Sequence, residues 1–251
     1  MINTENKCFP WYEQWFNDHY LHVYAHRDEQ DAQMQAGLIA EIFPPEEYPE
    51  MLDLCCGEGR HARIFHEMGY SVTGIDLSCR MIEAARDASP EGICYAVSDM
   101  RNIQWENRFD IAVNLFTSFG YFSSEEEDGK VLEAVYRSLS GRGCFWIDFM
   151  NREYVIRNME PYSSRVVEET EVEEKREISS DGKRVIKEIV LSCGGNVHRY
   201  RESVRMYTRN ELKNLAENRG FSVTHEFGDY TGGPYSDESP RLIFAARKHK
   251  R

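Results

Sequence analysis

Between Met51 and Met150 the chain alternates short apolar runs with amphipathic stretches. "MLDLCC", "SVTGID", "ICYAVSD", "FDIAVNLF" and "CFWIDFM" are apolar enough to be strands covered on both faces. Between them the apolar residues fall at helical spacing: Ala62, Ile64, Phe65 and Met68 after the first run, and Met81, Ala84 and Ala85 after the second. "SSEEEDGKVLEAVYRSLSGRG" precedes the fifth run, with Ser124 and Glu127 spaced as a capping box and glycine ending the helix. Near the C-terminus "TRNELKNLAENRG" repeats the device with Thr208 and Glu211, and "FSVTHEFGDY" and "RLIFAARK" read as two closing antiparallel strands. The pattern predicts an α/β fold: a doubly wound, mostly parallel, seven-stranded sheet with helices on both faces.

Two segments have a different texture. Trp11 to about Phe43 is helical in pattern and is stopped by the prolines of "FPPEEYP". From about Tyr162 to Tyr207 polar and apolar residues alternate over three long runs, broken at "SSDGK" and "CGGN", which is hairpin chemistry. The first run is acidic (Glu168, Glu169, Glu171, Glu173, Glu174) and the next two carry Lys183, Arg184, Lys187, Arg199 and Arg201. Opposite charges on neighbouring strands stabilise pairing modestly, so these runs read as sheet faces. The expected division is an N-terminal helical segment, 1–43; a sheet core, 44–160 with 208–251; and a small antiparallel β insert, 161–207.

Composition narrows the function. A formal net charge of −13 argues against a general binder of nucleic acid or anionic membrane, since phosphate contact needs a basic surface. No apolar run is long enough to span a bilayer, and "MINTENKCFPWYEQ" is unlike a signal peptide. The seven cysteines form no C-x-x-C pair. These features lead one to expect a reduced, cytoplasmic protein; a monomer or homodimer is the expected state.

The candidate chemistry sits in "MLDLCCGEGRHA". Gly57, Gly59 and Ala62 have the G-x-G-x-x-G/A spacing of a nucleotide loop, and Asp53, Asp76 and Asp99 fall near the ends of three successive strands. Asp76 lies about 20 residues past the loop, the distance at which a carboxylate reaches ribose hydroxyls. That suits an NAD(P)-dependent oxidoreductase as well as any adenosyl enzyme. A pyrophosphate at this loop, however, would meet Glu58 and Asp53, whereas S-adenosylmethionine has no phosphate and carries a sulfonium and an ammonium. The cationic cofactor is the better electrostatic match.

At this point "LDLCCGEGRHA" resembles the first motif of class I SAM-dependent methyltransferases, "VTGIDLSCRMIEAA" the second and "VSDMRNI" the third, together covering roughly residues 50–150. Cys55 stands where that family usually has glycine. "WYEQWFNDHYLHVYAHRDEQ", "NLFTSFGYFSSEEED" and the final "RLIFAARK" are similar to a bacterial subgroup of small-molecule methyltransferases whose build is that of sugar-amine and glycine N-methyltransferases. The resemblance implies a Rossmann-like methyltransferase fold and S-adenosylmethionine as cofactor. It implies that Cys55, Cys56, Gly57 and Gly59 pass close to the methionyl part, that Asp53 reaches the ammonium and that Asp76 binds the ribose. Leu77 and Met81 would pack on the adenine, Asp99 and Met100 would sit at its edge, and Leu115 and Phe116 would flank the sulfonium. The N-terminal segment is expected to act as a lid through Tyr20 or Tyr24, with Arg27 at the cofactor's carboxylate, and the β insert to roof the active site.

For the acceptor, the loop "FTSFGYF" offers Ser118, Phe119 and Tyr121, with Thr117 beside them, and the insert offers His198, Arg205 and Tyr207. Methyl transfer from a sulfonium asks mainly for alignment and exclusion of water, and no nucleophile–base pair stands out. His19, His22 and His26 are spaced at i, i+3 and i+7, but no H-E-x-x-H pattern completes them, and no metal is expected. The leading expectation is a methyltransferase acting on a nitrogen or oxygen of a small molecule. A SAM-binding regulator without catalysis is the alternative from outside enzymology.

Overall fold

A computed structural model of the chain describes residues 10–24 and 29–249. The helical pattern at the N-terminus resolves into three pieces: α1 (Trp11–Trp15), α2 (Asp18–Tyr24) and α3 (Glu29–Ile42). Phe16 leaves helical geometry (ψ 72°) and so separates the first two. The alternating core follows as β1 (Glu50–Leu54), α4 (Arg60–Glu67), β2 (Ser71–Asp76), α5 (Cys79–Ala88), β3 (Cys94–Val97), β4 (Phe109–Asn114), α6 (Glu125–Ser138) and β5 (Leu139–Met150). A short helix with no counterpart in the sequence pattern, α7 (Arg152–Asn158), leads to β6 (Tyr162–Val167), β7 (Thr170–Ile178), β8 (Arg184–Cys193) and β9 (Asn196–Arg205). The chain then returns through α8 (Arg209–Glu217), β10 (Phe221–Phe227) and β11 (Arg241–Lys248).

The main sheet has seven strands in the order β10-β11-β5-β4-β1-β2-β3. β3, β2, β1, β4 and β5 pair in parallel, and β11 and β10 close the sheet antiparallel. Chain order reverses between β1 and β4, which makes a crevice beyond their carboxyl ends, where doubly wound sheets bind ligands. The near-continuous apolar texture of the strands now has its cause. Phe145, Ile147 and Phe149 face α6 and α8, while Cys144 and Trp146 face the side of α3 and α4, so every position is covered.

Three local expectations are corrected. Glycine does not end α6: the helix stops at Ser138, and Gly141 and Gly143 lie inside β5, beside a register shift against β4. A Cβ at Gly143 would sit 2.7 Å from that of Leu139, so the bulge needs glycine there. Ser124 accepts from Glu127 N, but the Glu127 carboxylate turns to Arg101 and Lys130 instead of completing the box; Thr208 and Glu211 do complete theirs. The three alternating runs are four strands, because a further hairpin turns at Glu168 (φ 51°) without any residue that announces a turn.

The insert is a separate four-stranded sheet, β6-β7-β8-β9. One end of one face packs Val172, Ile189 and Leu191 under Trp15 and Val23, so α1 and α2 rest on the insert. Arg205 N donates to Gly120 O at 2.8 Å, and the Arg184 guanidinium donates to the carbonyls of Phe122, Gly120 and Tyr121. These bonds tie the insert to the loop after β4.

Candidate active site

A cavity of about 360 Å³ lies beyond the ends of β1, β2 and β4, bounded by α1–α2 on one side and the insert on another. Each strand delivers a carboxylate or a loop to it. Near the end of β1 stands Asp53, which is 2 % exposed and whose Oδ2 has no hydrogen-bond partner among the described residues. Burial, with the charge of Asp76 behind it, pushes this carboxyl up to about 8. β2 ends in Asp76, which accepts from Gly57 N at 3.0 Å and from Ser78 N at 2.9 Å. Burial raises the Asp76 pKa, against the pull of those N–H groups. Asp99, after β3, is held by Arg101; burial pushes its carboxyl up, but the bonds from Arg101 outweigh that and keep it low.

The turn between β1 and α4 is built for close approach. Cys55 takes the left-handed conformation (φ 59°) that glycine adopts freely, and its thiol contacts Met100 Sδ at 3.5 Å. Burial, then the surrounding Asp76, Asp53 and Asp99, raises the Cys55 pKa, and burial likewise raises that of Cys56. Both are therefore neutral wall groups and not nucleophiles.

The wall beyond β4 is strained. Phe116 (φ 59°) and Thr117 (φ 62°) are consecutive left-handed residues, the second β-branched. Asp148 on β5 fixes them: its Oδ2 accepts from Phe116 N at 2.9 Å and its backbone O from Thr117 N at 3.0 Å. Arg241 on β11 donates to Asp148 Oδ1 at 2.7 Å and to Thr117 Oγ1 at 2.8 Å, and Tyr230 Oη donates to Asp148 Oδ2 at 3.0 Å. Asp148 is buried and Arg241 half-buried, and the expected site did not include them. In sequence they are one acid in an apolar strand and one base opening another, with nothing to show that the strands are neighbours.

At the opposite end α1 and α2 supply Tyr12, Phe16, Tyr20, Leu21 and Tyr24. Ser78 Oγ donates to Phe16 O at 2.8 Å, and Arg80 pairs with Asp18, so this cover is fastened to α5. Tyr24 Oη donates to Glu174 Oε1 at 2.9 Å and accepts from Lys187 Nζ at 3.0 Å; Trp15 Nε1 donates to Glu202 Oε1 at 2.7 Å. Burial opposes the charge on Lys187, but Glu202, Tyr24 and Glu174 outweigh it and raise its pKa, so the ammonium stays charged.

Of the residues expected at the site, Asp53, Cys55, Cys56, Gly57, Asp76, Leu77, Met81, Asp99, Met100, Leu115, Phe116, Tyr20, Ser118 and Tyr121 line this cavity. Gly59 does not. It caps α4 at φ 76°, where a Cβ would meet Tyr95 Oη at 2.3 Å, so it serves helix–strand packing. Phe119 is buried between Phe149 and Tyr207, and Tyr207 is itself buried with its hydroxyl donating to Asp128 at 2.6 Å. Arg205 turns to Glu125 and Glu211. His198 lies outside the cavity wall against His19, whose other neighbour is Tyr200. The insert reaches the cavity instead through Arg176, Val185, Lys187, Glu202 and Val204. Arg27 and His26 lie outside the described residues.

Glu58 also lines the cavity, with Arg60 beside it, so a pyrophosphate at this turn would face Glu58 and Asp76 against that single cation. The unpartnered oxygen of Asp53 and the exposed edge of Asp76 suit a ligand with an ammonium and a ribose. No helix among the described residues is long and apolar enough to cross a membrane.

Comparison with known proteins agrees with this geometry. A methyltransferase domain matches residues 51–143. The YqeM protein of Bacillus subtilis (strain 168), a methyltransferase by name, is 28 % identical over 80 % of this chain and 84 % of its own. The dTDP-3-amino-3,4,6-trideoxy-alpha-D-glucopyranose N,N-dimethyltransferase of Streptomyces venezuelae is 29 % identical over 45 % of this chain and 46 % of its own. Among solved structures, the CcbJ methyltransferase from Streptomyces caelestis superposes with a TM-score of 0.80 at 17 % identity, covering 94 % of this chain and 98 % of that one, which is a likeness of fold.

Proposed function

Because this chain is a class I methyltransferase whose cofactor is S-adenosylmethionine, we propose that it methylates a nitrogen or oxygen of a small-molecule acceptor held in the same cavity. The observation that carries this reading is the continuity of that cavity: it runs from Asp53 and Asp76, past Phe116 and Tyr121, to the polar face of the insert. A covered cavity bounded by α1–α2 and a sheet admits a small molecule or a chain end more readily than a folded partner. The matched relative that carries an amino-sugar dimethyltransferase name supports a nitrogen acceptor of this size.

Asp76 accepts from the ribose hydroxyls, and its bonds to Gly57 N and Ser78 N fix the carboxylate for that task. Asp53 receives the ammonium with its unpartnered oxygen. Leu77 and Met81 pack on the adenine with Met100, and Asp99 lies at its edge. The bound cofactor supplies an electrophilic methyl group on a sulfonium, a good leaving group. Phe116 and Leu115 hold that end of the cavity, and the clamp from Asp148 and Arg241 fixes Phe116 and Thr117 so that the acceptor meets a rigid wall. The α1–α2 cover acts as a lid that keeps water out. At the acceptor end Lys187 is charged and both oxygens of Glu202 are engaged, which leaves these groups ill placed to remove a proton. A neutral amine, which needs no base, fits this better than a hydroxyl.

The test is transfer of label from methyl-radiolabelled S-adenosylmethionine to a metabolite fraction freed of macromolecules. Protein-dependent label in a small molecule is the expected result. Binding of the cofactor with no transfer to any fraction would overturn the reading.

A further inference from the structure

The insert presents a row of charges to the cavity that breaks the ordinary rule of sheet pairing. Arg176 on β7 lies directly opposite Lys187 on β8, and Lys187 directly opposite Glu202 on β9. Two positive side chains facing each other across an antiparallel pair destabilise it. On the other face of the same strands Lys175, Glu188 and Arg201 alternate in sign, and the one like-charge pair among these residues, Arg184 opposite Arg205, is taken up by the carbonyls of the loop after β4 and by Glu125 and Glu211. The Arg176–Lys187 pair instead faces the cavity, where Arg176, Lys187 and Glu202 all lie in the wall.

Neighbouring acids do not cancel the excess. Lys187 pairs with Glu202 at 2.8 Å, while buried Glu174 is shared between Arg176 and Arg165. Among the described residues, three cations thus meet two carboxylates. Both oxygens of each carboxylate are engaged, and Arg176 also donates from Nη1 to Ser163 Oγ at 3.0 Å and to Glu160 O at 3.4 Å. Glu202 accepts from Trp15 on one oxygen and pairs with Lys187 on the other; Glu174 accepts from Tyr24 on Oε1 and from Arg176 and Ser163 on Oε2. Lys187 uses two of its three protons, on Glu202 and Tyr24. The opposite end of the cavity holds the carboxyl groups of Asp53, Glu58 and Asp76 with one cation, Arg60, among them.

Resting on the functional reading above, we propose that the methyl acceptor carries an anionic group, a carboxylate or a phosphate, which binds between Arg176 and Lys187 while the nucleophile points to Phe116 and Thr117. The anion supplies the charge that the sheet lacks, and its two or more acceptor oxygens suit a guanidinium beside an ammonium. Val185 and Val204, which flank the row in the wall, pack on the body of the acceptor.

The test uses the whole protein saturated with S-adenosylhomocysteine, titrated calorimetrically with inorganic phosphate or with acetate at constant ionic strength set by chloride. At least one of the two is expected to bind, and the stronger arm names the group. Arg176→Gln and Lys187→Met should each weaken that binding about tenfold, as expected for a lost charged hydrogen bond. Arg201→Gln, which removes a cation from the opposite face of the same sheet, should leave it unchanged. A second measurement follows the label: the methylated product should contain a carboxylate or a phosphate, read by mass spectrometry after esterification or phosphatase treatment. Indifference to both anions, or equal binding by all variants, overturns the proposal, and so does a product that holds neither group. Failure to bind S-adenosylhomocysteine would strike the functional reading itself and is read separately.

Discussion

Arg241, the first residue of the last strand, donates to Asp148 at 2.7 Å from the neighbouring strand β5 and to Thr117 Oγ1 at 2.8 Å. One ion pair between antiparallel neighbours thereby holds two left-handed residues of the cavity wall. Arg241→Met would leave the buried Asp148 carboxyl without its ion-pair partner, with Tyr230 as its side-chain donor among the described residues. The expected loss is about 3–5 kcal/mol of unfolding free energy in urea, the cost of removing one partner of a buried pair. Arg241→Lys should recover only part of it, since one ammonium cannot reproduce the two-point geometry. A loss below about 1 kcal/mol for Arg241→Met would show that Phe116 and Thr117 do not depend on the clamp.

Asp76→Ala removes the proposed ribose acceptor and also the partner of Gly57 N and Ser78 N. Affinity for S-adenosylhomocysteine by calorimetry should fall by at least about 1.5–3 kcal/mol, roughly 10- to 150-fold, the range for hydrogen bonds to a charged group. Asp76→Asn keeps an oxygen acceptor and should fall between the two. Unchanged affinity in the alanine variant would remove Asp76 from the site.

Asp53 should make cofactor binding pH-dependent. Its carboxyl is pushed up to about 8 in the cofactor-free fold, by burial first and Asp76 second. The folded protein then keeps a proton that the unfolded chain releases near pH 4, about the ordinary value for aspartate. This group's contribution to stability is full below about pH 4 and is lost as pH rises through about 8. An ammonium seated beside Asp53 favours the ionised form, so binding expels the proton. At neutral pH, calorimetry in buffers of different ionisation enthalpy should register proton release, with affinity rising towards about pH 8. In Asp53→Asn the release should vanish; its persistence there would assign the proton to another group.

Tyr207 was expected at the acceptor and instead lies in the core. Its hydroxyl donates to Asp128, whose carboxyl is pushed up to about 6, chiefly by burial. Tyr207→Phe should cost about 1–3 kcal/mol by stripping Asp128 of that bond, seen as a lower denaturation midpoint. Methyl transfer per folded molecule should be unchanged. A selective loss of transfer without a loss of stability would return Tyr207 to the site.

What the amino-acid order determined by itself is whatever depends on short-range periodicity and spacing. The five apolar runs, the turn after Leu54, the carboxylates closing successive strands and the cationic cofactor they favour all follow from residues within a few positions of one another. Even the Arg176–Lys187 opposition is implicit there, because a turn centred between Asp181 and Gly182 sets which residues pair. Tertiary structure decided the rest, since side-chain direction depends on what packs against each face. Alternating charges in β7–β9 look the same whether a face meets water or a cavity. Only the packing of Trp15 and Val23 on the far end of the sheet turns Arg176, Lys187 and Glu202 inward, while His198, farther along the same face, meets His19, and Arg205 lies on the other face. Likewise Gly59 has nucleotide-loop spacing, yet the ring of Tyr95, which comes from a strand 36 residues away, is what forbids a side chain there. Contacts across such distances are set by strand order, and strand order is a property of the folded sheet.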